Sequence, residues 1–148
     1  MKKNAVLKSL RINYFVTFVA LLVLLFSFEF GLIEKEVLMN VVPSSVLYMI
    51  QVIAIMLTVI LIPLAIKGFT KSMEKARGLS EDAFLKVYCK KNIQRIFLLF
   101  VVLVVNIFVY YAFGYNGSLY CILLGFGSMI YSFPTKMVLE QFLCDKEK

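Results

Sequence analysis

Glu29, Gln51, Thr58 and Asn106 each stand in a stretch of otherwise apolar residues. A carboxylate, two amides and a hydroxyl are costly in hydrocarbon unless something meets them. Each must therefore bond to a neighbouring segment or face water along a path for an ion or polar solute. For Gln51 and Asn106, bonding between helices is favoured over contact with a solute. Glu29 lies within a turn or two of the end of its run and can reach headgroups or water, which favours a structural role over proton or cation handling.

Other chemistry has little to work with. The chain has 3 cysteines and no histidine. Cys89, Cys121 and Cys144 form no close pair, so neither a metal site nor a disulfide framework is expected, and all three read as small apolar residues. There is no G-x-S-x-G, G-x-G-x-x-G or phosphate-loop pattern, and no aspartate inside an apolar run to support intramembrane proteolysis. The expectation is a non-enzymatic protein without a cofactor.

The elements that carry these residues follow from hydropathy. Of the 148 residues, 61% are hydrophobic, against about 45–50% in globular chains, and the excess is gathered into four runs. Residues 12–33, 46–66, 96–115 and 118–134 each read as a span, the last slightly short. The basic flank before Ile12 resembles a signal peptide, but the run leaves through Phe28-Glu29-Phe30-Gly31 without a small-residue cleavage site, so it is an uncleaved span. Glu34 to Ser45 forms a short polar connection. Pro63, one turn before the end of the second run, marks its terminus or a bend. Residues 67–94 are expected as a basic loop, containing Lys71, Lys75, Arg77, Lys86, Lys90 and Lys91. Within it, Ser80-Glu81-Asp82 signals a helix start that runs into the third span, the hydroxyl capping free amides and the acids suiting the positive helix end. Tyr115-Asn116-Gly117-Ser118 is a tight turn, and a turn or two of helix follows Pro134.

Of 16 lysines and arginines, only Lys35 falls on the far side of these spans. The positive-inside rule then places both termini and the 67–94 segment in the cytoplasm of a multi-pass protein of the cell membrane, the inner membrane in a bacterium. Tyr14 and Tyr131 fall near the inner boundary, and Tyr48, Tyr110, Tyr111, Tyr115 and Tyr120 near the outer one, as amphipathic rings prefer.

Spans associate in lipid through small and polar residues. At helical spacing the first span offers Asn13, Thr17, Ala20, Leu24, Ser27 and Gly31, and the second Gln51, Ala54, Thr58 and Ala65. The third offers Arg95, Leu99, Val102, Asn106, Val109 and Phe113, and the fourth Ser118, Cys121, Gly125, Ser128 and Ser132. The expected fold is an all-α integral membrane protein, an antiparallel four-helix bundle with a basic cytoplasmic loop between helices 2 and 3. Arg11-Ile12 opens a span closing at Gly31, and Arg95-Ile96 opens one closing at Gly114, a faint sign that the halves are related.

The function expected is that of a small subunit or scaffold working with another membrane or cytosolic component. Its partners are the lipid bilayer and, through the loop lysines and Arg77, anionic headgroups or a docking protein, which is either another copy or a different chain. No nucleic-acid module is recognisable. The alternative is a small oligomeric transporter or channel whose path is lined by Glu29, Gln51, Thr58 and Asn106. A path needs a continuous wetted surface, whereas a scaffold keeps its polar groups paired and dry.

Overall fold

A computed structural model describes residues 3–33 and 41–144, with side chains to residue 142. Lys35 and most of the Glu34 to Ser45 connection lie outside the described residues, as do the Cys144 side chain and the last residues of the tail. The regular elements described are five helices: α1 (Lys3–Glu29), α2 (Ser44–Ala76), α3 (Glu81–Phe113), α4 (Asn116–Tyr131) and α5 (Lys136–Cys144). Three are long and apolar enough to cross a membrane, or four if α4 and α5, bent by 66°, count as one span.

Glycine closes two of these helices for a physical reason. Gly31 and Gly114 have φ of 72° and 64°, the left-handed region that only glycine enters at no cost. Behind Gly31 the Leu32 amide returns to the Ser27 carbonyl at 3.0 Å, so α1 stops at Glu29 rather than continuing to Ile33. Pro63 does not end α2. It is exposed, and the helix continues through it to Ala76.

Within the basic segment 67–94, where helix was expected only from Ser80 onward, residues 67–76 are helical too, and only 77–80 break the chain of helix. The reason is a set of apolar residues at helical spacing beneath the basic surface. Phe69, Met73 and Ala76 of α2 and Phe84, Leu85 and Tyr88 of α3 are buried together with Val6, Leu7 and Leu10 of α1 and Leu139 of α5. Helix α3 does begin after Ser80, with Glu81 and Asp82 in its first turn, although the Ser80 side chain makes no capping bond. The Ser80 carbonyl instead accepts the Phe84 amide at 2.8 Å.

Helix α3 is the axis of the molecule, packing against α1, α2 and α4, while α2 also meets α4. Contacts between Thr58 and Asn106 and between Phe69 and Tyr88 show that α2 and α3 run in opposite directions. Those joining Lys3 to Glu81 and Phe28 to Tyr111 show that α1 and α3 run in the same direction. Gly125 lets α4 approach α3 closely, because a Cβ there would meet Leu103 Cδ2 at 2.7 Å.

The interior face of α1 is not the small and polar one expected. Leu7, Leu10, Tyr14, Leu21 and Phe28 are buried, whereas Ala20 is exposed and Asn13, Thr17 and Ser27 are half-buried. Both stripes repeat every three or four residues. The aromatic one is buried by ring packing, with Phe18 edge-on to Phe126 at 6.0 Å and Phe28 stacked on Tyr111 at 4.7 Å. Tyr14 faces the interior, its hydroxyl donating to the Met129 carbonyl at 3.2 Å.

Candidate functional site

The apolar runs bring two of their polar residues directly together. The Asn106 side-chain amide of α3 donates to Thr58 Oγ1 of α2 at 2.8 Å and to the Val102 carbonyl at 2.8 Å. Thr58 donates onward to the Ala54 carbonyl at 2.9 Å. Thr58 and Asn106 are 2% and 0% exposed, so this chain of bonds is sealed from solvent. Asn106 Oδ1 is buried without a partner among the described residues, so the amide is half satisfied.

Glu29 closes α1 and accepts a short hydrogen bond from the Tyr111 hydroxyl of α3. Tyr111 is buried against Phe28 while Glu29 itself is exposed. Gln51 is half-buried one turn before Ala54, and its side chain makes no hydrogen bond among the described residues. The structure therefore links Thr58 with Asn106 and Glu29 with Tyr111, and does not gather Glu29, Gln51, Thr58 and Asn106 into one site. On α4, Ser118, Cys121, Gly125 and Ser132 are buried and Ser128 is half-buried, its hydroxyl donating to its own helix at Leu124.

At the basic end two arginines hold the break between α4 and α5. Arg95 Nη2 donates to the Ser132 carbonyl at 2.7 Å and to Asn92 Oδ1 at 2.8 Å, and its guanidinium lies 4.1 Å from the Phe69 ring centroid. Arg11 Nε donates to the Pro134 carbonyl at 3.3 Å, with its guanidinium 5.8 Å from Phe133. Free carbonyls and negative partial charge collect where a helix ends, so cations from two flanking helices suit this bend. The Thr135 hydroxyl then accepts the Val138 amide at 3.4 Å, starting α5. The paired Arg-Ile steps of the sequence mark these two residues, but their shared target becomes visible only once α4 is in place.

No family model, curated protein or solved structure matches this chain.

The exposed ridge of α3 runs between two grooves, and the loop cations divide around it. On the α1 side a cavity of about 300 Å³ is lined by Asn13, Thr17 and Ala20 facing Ile96, Phe97 and Phe100. On the α2 side a cavity of about 370 Å³ is lined by Lys71, Lys75, Lys91 and Arg95. Lys86 and Lys90 line a separate shallow cavity with Cys89 and Ile93, and Arg77 is half-buried at the turn between α2 and α3. Neither groove beside α3 is lined by Thr58 or Asn106.

Proposed function

We propose that this is a non-enzymatic four-span protein of the cell membrane, acting as a subunit or scaffold for another membrane or cytosolic component. In this reading the spans form an antiparallel bundle, with both termini and the basic α2–α3 hairpin on the cytoplasmic side. The observation that carries it is the sealed Thr58 and Asn106 pair. Among the described residues these two deeply buried polar groups bond to each other and line neither groove beside α3, as a structural seam requires and a conduction path does not.

Two surfaces support a docking role. Large apolar side chains cover the outside of the runs, including Val19, Val23, Ile53, Val59, Phe97 and Leu123, each more than half exposed, which suits contact with lipid. Among them the α1–α3 groove opens an edge of small and polar residues, where Asn13 has no side-chain hydrogen bond among the described residues. Helices 33 residues long reach about 50 Å, well beyond a hydrocarbon core of about 30 Å. The basic hairpin thus stands clear of the spans as a cytosolic surface.

Crosslinking in native membranes, followed by identification of captured proteins, tests the reading. A reproducible partner captured from Asn13 or from the basic hairpin is expected. Capture of copies of this chain alone, together with solute flux from liposomes holding the purified protein, would overturn it in favour of transport. Orientation is tested by a cysteine at Lys35 in a Cys144→Ser background, reacting in intact cells with an impermeant reagent. Burial pushes the Cys89 thiol above its ordinary value and Cys121 is buried, so background reaction is low.

A further inference from the structure

The α2–α3 groove gathers positive charge more tightly than topology alone requires. Lys71, Lys75, Lys91 and Arg95 share its wall with the polar residues Ser72 and Gln94, and no carboxylate among the described residues lines it. Glu74, between two of these lysines in sequence, is exposed on α2 and outside the wall. The opposite end of the same cavity is apolar, formed by Leu64, Ala65 and Leu98. These three belong to the apolar runs, so the cavity straddles the junction of apolar helix and basic hairpin.

Arg95 makes the case specific. It is 8% exposed, and among the described residues it bonds only through Nη2, to neutral oxygens, while its buried Nε has no partner. No carboxylate among the described residues pairs with it. An ion withdrawn from water without a counter-charge is strongly penalised, and stacking on Phe69 offsets only part of that. Three lysines at the mouth add to the same unbalanced field. A ligand that balances it must be anionic, and one that also fills the Leu64 and Leu98 end must carry an alkyl chain.

We propose that this groove is a binding site for an anionic glycerophospholipid. The phosphate sits among Lys71, Lys75 and Lys91 in the field of Arg95, and an acyl chain lies along Leu64 and Leu98. Basic pockets between spanning helices at a membrane surface have this recognition chemistry, and the cavity is of a size that holds a headgroup. Lys86 and Lys90, on the other side of the α3 ridge, are excluded from the site. The inference rests on the membrane reading above but not on the scaffold role, so lipid retention and partner capture can fail separately.

The full-length chain, purified in detergent and stripped of lipid, is titrated with phosphatidylglycerol under native mass spectrometry. One tightly held phosphatidylglycerol per chain is expected, with phosphatidylcholine failing to compete and sn-glycerol 3-phosphate failing to displace it. The double variant Lys71→Gln/Lys75→Gln is expected to weaken retention about thirtyfold, the loss of two near-surface charge contacts. Lys91→Gln alone is expected to weaken it about fivefold. Lys86→Gln/Lys90→Gln removes the same charge outside the groove and is expected to stay within about threefold of the parent. Equal losses from the two double variants would reduce the effect to general surface charge and overturn the site. Equal retention of phosphatidylcholine would overturn its charge selectivity, and displacement by glycerol phosphate would reassign it to a soluble phosphate ester.

Discussion

The same three long helices build two interiors that differ in what surrounds them. In the apolar runs, Leu21, Leu99, Leu103, Ile107 and Met129 are fully buried, yet the outside is equally apolar, with Val23, Val59 and Leu123 exposed. At the basic end Met73, Phe84 and Leu85 are as deeply buried, but the outside is charged, with Lys8, Lys71, Lys75, Lys86 and Lys90 exposed. Where the surroundings are lipid, burying apolar area gains little, and close approach at Gly125 and the Thr58–Asn106 bond must hold the helices. Where the surroundings are water, the hydrophobic effect does that work.

Substitutions at matched sites break or sharpen this contrast. The largest effect is expected from Phe84→Ala, a fully buried aromatic ring at the basic end, which should destabilise by about 3–5 kcal/mol. Val23→Ala on the lipid side should stay within about 0.5 kcal/mol, both read from thermal unfolding in detergent. Next comes Gly125→Ala, whose new methyl collides with the buried Leu103 side chain and should cost about 1–3 kcal/mol. Gly127→Ala meets nothing within 4 Å and should hold or slightly raise the melting temperature. Of the three losses, the smallest is expected from Asn106→Leu. It deletes the bond to Thr58 but also removes a half-satisfied amide, so a loss near 0.6 kcal/mol, the average for polar bonds between spanning helices, is expected.

The sequence exposes one of these interiors better than the other. An amide alone in an apolar run demands a partner, which is why Asn106 and Thr58 stand out from composition and spacing. The positive φ at Gly31 and Gly114 likewise falls at two run endings that are visible in the sequence. The basic-end interior is masked because lysines dominate residues 67–94. Phe69, Met73 and Ala76 carry the helical spacing there, but composition alone reads as a loop. In α1 two stripes share one period, and nothing in the spacing says that Tyr14 and Phe28 turn inward instead of Asn13 and Ala20. The sequence marks Arg11 and Arg95 as basic residues opening spans, and the carbonyls they reach belong to a bend that hydropathy cannot show.

The dryness of the Thr58 and Asn106 seam separates a scaffold from a conduit, and it can be read with one near-isosteric change. Thr58→Cys in an otherwise cysteine-free chain, reconstituted in liposomes, is exposed to a small hydrophilic thiol reagent from both sides. No modification is predicted while a cysteine placed at Lys86 reacts fully. Modification at a rate comparable to that of the Lys86 position would mean that water reaches the middle of the spans, and would contradict the account.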